Sequence, residues 1–270
     1  MHNFKKQFGQ NFLKNTKYAK TLVSELKLTP EDTIVEIGPG DGAVTKFLLE
    51  TGCKVISFEV DYDLVPKLLK QFEKYSNFVL VHQDILQVDL PEVLAQHNAT
   101  QSIKVTGALP YNISKKIIDL CLRFNLENDK YNIKICTFIV QEEVAKDYVA
   151  AVPKASFLSN YAKIFAKVRK LESIPKYMFY PEPKVNGGIL RFEIHENIST
   201  NYAEINKLLR IGFSNPRKTL NNNLKSSKKF IEQNIQDSYA NLSIKSTARP
   251  AELTFEEWVA LTESLNNVDI

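Results

Sequence analysis

Five short apolar runs, Thr33 to Ile37, Val55 to Glu59, Phe78 to His82, Ile103 to Gly107 and Ile133 to Val140, alternate with segments of helical spacing. This alternation is the strongest constraint on the fold. Parallel neighbours in a sheet need a crossover between them, usually a helix, and those helices cover both faces. The runs end near glycine or acidic residues and are too short to be helices, so they read as buried strands. Val44, Phe47 and Leu48, then Leu64, Leu68 and Leu69, carry the helical spacing, and Ala19, Leu22, Val23 and Leu26 predict a helix before the first strand. The expected class is α/β with a Rossmann-like, mostly parallel sheet. Two more β-like runs, Lys163 to Leu171 and Gly188 to Ile194, have no long helix between them and are expected as an antiparallel addition at the sheet's edge. After Glu196 the pattern is helical to the end, with Asn197 to Thr200 as the linker. The division expected is therefore residues 1–196, holding the sheet, and 197–270, a small all-helical domain.

With 270 residues, 44% hydrophobic and 24% charged, the chain has a core to bury, which excludes a mini-fold and extensive disorder. No stretch approaches 18 consecutive apolar residues, and the first fifteen hold no signal-length apolar run. A soluble, cytoplasmic protein with no membrane partner is expected. Cys53, Cys121 and Cys136 each lie in or beside an apolar run, as small buried hydrophobes do in a reducing compartment. His2, His82, His97 and His195 show no ligand spacing to them, so no metal is expected. The net charge of +4 says little, but its placement says more. From Met1 to Ser24, Lys5, Lys6, Lys14, Lys17 and Lys20 meet no acid. Lys207, Arg210, Arg217, Lys218, Lys225, Lys228 and Lys229 likewise form an acid-free run. Two such regions can follow a phosphate backbone, or they are two solvated helix faces. The amino-terminal arm lacks the Arg and Ser richness of a transit peptide.

Glu36-Ile37-Gly38-Pro39-Gly40-Asp41-Gly42 follows the first strand, and Ala43 to Glu50 reads as a helix, so the glycines sit at a strand-to-helix turn. Glycine there lets the backbone approach a ligand closely and take positive φ; the alternative is a tight turn without a ligand. Gly38, Gly40 and Ala43 also fit the loose dinucleotide pattern, with Glu59 about 20 residues on, so a nicotinamide enzyme stays open at this point. The acids at successive strand ends, Glu36, Glu59 with Asp61, and Asp84, point instead to a nucleoside spread across three strands without a pyrophosphate. Glu59 can accept from ribose hydroxyls and Asp84 from an adenine amino group. S-adenosylmethionine is such a ligand.

The fourth strand ends in Gly107-Ala108-Leu109-Pro110-Tyr111-Asn112-Ile113-Ser114, which resembles the N-L-P-Y-N-I-S box of the ribosomal RNA adenine dimethyltransferases, the KsgA family. The likeness runs along nearly the whole chain. Gly9-Gln10-Asn11-Phe12-Leu13 resembles that family's cofactor-gripping arm, Glu36 to Gly42 its glycine turn, and Gln141 to Ala145 its Q-x-E-V-A helix. Phe179-Tyr180-Pro181-Glu182-Pro183-Lys184-Val185 resembles its F-x-P-x-P-K-V loop. Arg217-Lys218-Thr219-Leu220 and Arg249-Pro250-Ala251-Glu252-Leu253 resemble its helical-domain signatures.

The resemblance implies a class I methyltransferase that uses S-adenosylmethionine to dimethylate the amino groups of two adjacent adenosines near the 3′ end of 16S rRNA. Its partner would be small-subunit rRNA within a pre-30S particle, met as a monomer. Residues 1–196 would then be the cofactor-binding and catalytic domain and 197–270 the RNA-binding one. The implied cofactor residues are Gln10, Asn11, Leu13, Gly38, Gly40, Glu59, Asp84 and Ala108. The implied catalytic residues are Ala108, Leu109, Pro110, Tyr111 and Phe179, and the RNA-binding residues Lys184, Arg217, Lys218 and Arg249. An adenine amino nitrogen is a poor nucleophile because its lone pair is delocalised into the ring. The family draws it towards tetrahedral geometry with an Asn side-chain oxygen and a backbone carbonyl of the L-P-Y turn, which Pro110 stiffens. Tyr111 and Phe179 would hold the flipped base between them.

Ala108 departs from the pattern, standing where the family has Asn. Only backbone carbonyls then remain as acceptors, and loss of one polar group at a transition state costs on the order of 10²–10³ in rate. Three readings stay open here: a weakened dimethyltransferase, an RNA-binding assembly factor of the same fold, and a relative of the large-subunit rRNA methyltransferases that share this core.

Overall fold

A computed structural model describes residues 11–266 of the chain. Its elements run β1 (Phe12–Leu13), α1 (Thr16–Glu25), β2 (Thr33–Ile37), α2 (Thr45–Leu49), β3 (Lys54–Phe58), α3 (Val65–Gln71), β4 (Phe78–Val81), α4 (Leu90–Gln96), β5 (Ser102–Ala108), α5 (Ser114–Glu127) and β6 (Asn132–Gln141). Then come α6 (Glu142–Tyr148), α7 (Phe157–Phe165), β7 (Ala166–Ile174), β8 (Phe179–Tyr180), β9 (Gly187–Ile194), α8 (Tyr202–Gly212), α9 (Leu220–Ser227), α10 (Glu232–Asn241) and α11 (Phe255–Asn266).

The five expected strands are β2 to β6, each shifted at its ends by no more than a residue or so. They pair in parallel, and β9 joins β6 antiparallel as the sequence predicts. The seven-stranded order is β4-β3-β2-β5-β6-β9-β7. The chain builds outward from β2 to β4, then returns to lay β5 on the other side of β2. That reversal makes the β2–β5 gap a topological switch point, where a crevice opens beyond the strand ends. All of β2 is buried, which explains its unbroken apolar run apart from Thr33 and Glu36. A β-carbon at Gly107 would collide with the Ile37 carbonyl oxygen, so glycine is what lets β5 lie this close to the end of β2.

Three expectations need correction. The helix after the glycine turn is only Thr45–Leu49, not Ala43 to Glu50, because the chain keeps turning: Gly42 N donates to the Pro39 carbonyl at 2.9 Å and Ala43 N to Asp41 Oδ1 at 3.3 Å. The Lys163 to Leu171 run is part helix, since α7 continues through Phe165 before β7 begins at Ala166. Ser156 and Ser159 cap that helix reciprocally, and Phe157, Tyr161 and Phe165 contact one another at i, i+4 spacing.

The third correction concerns the domain division. The chain forms two compact units, one of residues 1–145 and 167–196, the other of 146–166 and 197–270. Residues 146–166 thus leave the expected 1–196 segment for the helical unit. Within that unit Phe157 packs edge-on against Phe213, Phe165 lies against Tyr202, and Ala155 N donates to the Ala251 carbonyl at 3.0 Å. A two-stranded ribbon, β1 paired antiparallel with β8, was not expected from sequence.

Candidate active site

A pocket opens at the switch point. Asn11, Leu13, Gly38, Gly40, Glu59, Asp84, Ala108, Leu109, Pro110, Tyr111 and Phe179 all line it, so eleven positions separated widely in sequence meet in one cavity. Gln10 lies outside the described residues. Sequence reasoning passed over Phe12, Gln83 and Ile85. Phe12 sits inside the quoted arm, and its ring closes over Gly40, 3.0 Å from where a β-carbon would stand there.

The acids have distinct surroundings. Glu36 is buried beneath the turn, where it accepts from Ser57 Oγ at 2.7 Å and from Thr45 Oγ1 at 2.8 and 3.0 Å. Burial pushes its pKa up to about 7 in spite of those bonds. Glu59 accepts from the backbone N–H groups of Val60 and Asp61, both at 2.9 Å, and of Gly40 at 3.3 Å. Burial raises its pKa as well, opposed by those three donors. They tie the end of β3 to the glycine turn and hold the carboxylate at the pocket wall. Asp84 is half-buried and accepts from Leu86 N at 3.0 Å through Oδ1. Asp41 accepts from Ala43 N at 3.3 Å and so closes the turn.

At the end of β5, Leu109 N donates to the Ile139 carbonyl at 3.0 Å, which anchors the bend to β6. Ile113 N donates to the Pro110 carbonyl at 3.2 Å, while among the described residues no backbone N–H of the bend donates to the Leu109 carbonyl. The Tyr111 hydroxyl is buried with no hydrogen-bond partner among the described residues, and burial pushes its pKa up to about 12. Phe179 is buried in β8, opposite Leu13 of β1.

Several features fit the cavity to a cationic nucleoside. Gly38 has φ +67° and open space where a β-carbon would project, so the turn leaves room for a ligand at contact distance. Glu36, Asp41, Glu59 and Asp84 line the pocket, and among the described residues no Lys or Arg does. A dinucleotide pyrophosphate would meet four acids with no cationic side chain to offset them, whereas a sulfonium and an ammonium would be welcome.

Of the residues expected to meet RNA, Lys184 is exposed on the loop after β8. Arg217 and Lys218 are exposed just before α9, and Arg249 just before a 3-10 turn at Pro250–Glu252. Leu220 N donates to the Ala248 carbonyl at 2.8 Å, so the two signatures of the helical unit are neighbours. Among the described residues no cluster of three His, Cys, Asp or Glu could hold a metal, and no helix is long and apolar enough to cross a membrane. All three cysteines are buried and unpaired.

A parallel sheet with an antiparallel penultimate strand, together with an acid-walled pocket at its switch point, defines the Rossmann-like, class I fold of S-adenosylmethionine-dependent methyltransferases. Solved structures share it. The dimethyladenosine transferase from Plasmodium falciparum superposes with TM-score 0.79 at 25% identity, over 95% of this chain and 98% of that one. The 23S rRNA methyltransferase ErmE superposes at 0.76 with 22% identity, over 95% and 100%. The chain belongs to the ribosomal RNA adenine dimethylase family, whose model matches residues 1–267. Among curated relatives, "Ribosomal RNA small subunit methyltransferase A" of Lachnoclostridium phytofermentans is 31% identical over 278 residues, covering 97% of this chain and 92% of that protein.

Proposed function

We propose that this chain transfers methyl groups from S-adenosylmethionine to the amino nitrogens of two adjacent adenosines near the 3′ end of 16S rRNA. It acts as a monomer on the pre-30S particle in the cytoplasm. The observation that carries this reading is the convergence of the Leu109-Pro110-Tyr111 bend and the acids of three strand ends on one cavity. When bound, the cofactor supplies an electrophilic sulfonium methyl group. Glu59, oriented by its three backbone donors, would take the ribose hydroxyls, Asp84 the adenine amino group, and Asn11, Leu13, Gly38, Gly40 and Ala108 the remaining surface. The Leu109 carbonyl accepts from the target amino group and turns its lone pair towards the methyl carbon, while Pro110 keeps that carbonyl in place. Tyr111 and Phe179 hold the flipped base and exclude water from it. Lys184, Arg217, Lys218 and Arg249 contact the RNA backbone.

The assembly-factor reading drawn from Ala108 is not favoured. The family match spans nearly the whole chain, which supports the transferase reading. The family match and the four acids of the pocket wall both speak against the nicotinamide reading. Calorimetric titration with S-adenosylhomocysteine tests the cofactor site: Glu59→Ala should weaken binding by about 10- to 100-fold, the loss expected for hydrogen bonds to a charged group. Equal affinity in both proteins, or tighter uptake of a nicotinamide dinucleotide by the unaltered chain, would overturn it.

A further inference from the structure

Tyr180 and Tyr177 are 55% and 60% exposed, a costly display for large aromatics unless the surface is used. Tyr180 directly follows Phe179, which lines the pocket, and Tyr177 lies two residues before it. In β8 successive side chains point to opposite sides, so Phe179 turns into the cavity while its neighbour Tyr180 turns out. The β1–β8 ribbon fixes this arrangement through the pairs Leu13–Phe179 and Phe12–Tyr180 and through Lys14 N donating to the Met178 carbonyl at 2.8 Å. Lys14 Nζ stands 5.4 Å from the Tyr180 ring centroid and 3.5 Å from the Tyr177 carbonyl. In the arm and α1, Lys17 is engaged by Glu172, whereas among the described residues Lys14 and Lys20, and Lys46 on the neighbouring α2, have no carboxylate partner. Lys20 and Lys46 flank the Phe47 ring at 5.5 and 5.9 Å.

Exposed aromatic rings with ammonium groups nearby that lack a carboxylate partner are what single-stranded nucleic acid binds: bases stack on the rings and phosphates meet the cations. We propose that Tyr180 and Tyr177, with Lys14, form a stacking platform for the nucleotide next to the target adenosine, and that the RNA strand reaches the pocket along α1. This rests on the methyl-transfer reading, because the nucleotide flanking a base held against Phe179 is the one brought next to Tyr180. The partner is unpaired RNA rather than a duplex, since stacking needs a free base face.

The test is titration of the full chain with a short single-stranded oligoribonucleotide that contains two adjacent adenosines and carries 2-aminopurine beside them. Unaltered protein should quench the fluorophore by stacking. Tyr180→Ala should raise Kd by about 5- to 100-fold, and Tyr180→Phe, which keeps the ring, should stay within about 2-fold of the unaltered chain. Lys14→Gln should flatten the slope of log K against log salt by about 0.7, one phosphate contact on a single strand. In methylation assays Tyr180→Ala should raise KM with kcat retained. Unchanged binding by Tyr180→Ala, equal loss in Tyr180→Phe, or no quenching by the unaltered chain would overturn the platform. S-adenosylhomocysteine affinity is measured in the same proteins. If it is normal while the platform variants have no effect, the platform alone is wrong, and if it is absent, the methyl-transfer reading has failed.

Discussion

Two residues carry the sharpest consequences. Ala108 lines the pocket beside the Leu109-Pro110 bend, and on the proposed mechanism the missing Asn oxygen would remove one of two acceptors for the target amino group. Ala108→Asn should raise single-turnover methylation by roughly 10-fold or more and leave particle affinity nearly unchanged, since the restored bond acts mainly in the transition state. An equal or lower rate would contradict the account of the bend. Glu36 gives a pH signature. Its folded pKa of about 7 stands above the ordinary 4.5, so the folded state holds the proton more tightly. Its contribution to stability is full below about pH 4.5 and falls as pH rises towards 7, a loss on the order of 3 kcal/mol. Glu36→Gln should flatten that part of the stability curve in denaturant titrations from pH 5 to 8. A slope identical to that of the unaltered chain would show that Glu36 ionises freely.

At the scale of elements, Gly107 decides how closely β5 approaches β2. Gly107→Ala forces a β-carbon against the Ile37 carbonyl, which should cost about 1–3 kcal/mol and lower the melting temperature by several degrees. An unchanged melting point would mean that the strands can part freely. The parallel strands were legible in sequence because each is a short apolar run that needs burial on both faces. Eight of the eleven site positions stand at the ends of those runs, in the box, the acids and the glycine turn, whereas Asn11, Leu13 and Phe179 could be named only through the family resemblance. What escaped was set by contacts distant in sequence. Residues 146–166 side with the helical unit through aromatic pairs such as Phe157 with Phe213, which no local periodicity announces. The β1–β8 ribbon has two residues per strand, too few to show an alternation. α2 was overestimated because Asp41 and Gly42 keep the chain turning where its apolar spacing already looks helical.

For the whole molecule, the division of labour follows from composition along the chain. The unit holding the sheet gathers four acids around the pocket, while the exposed Arg217, Lys218 and Arg249 belong to the helical unit. On the proposed function the acids would receive the cationic cofactor, while the RNA would meet basic residues of both units, Lys14 and Lys184 in the sheet unit and Arg217, Lys218 and Arg249 in the helical one. The most direct measurement is to incubate the purified chain with immature small subunits and methyl-labelled S-adenosylmethionine, then map the label along the rRNA. The account predicts label on the amino nitrogens of two adjacent adenosines near the 3′ end of 16S rRNA. Particles that bind the chain and its cofactor yet acquire no label there, or acquire it at a different base, would contradict it.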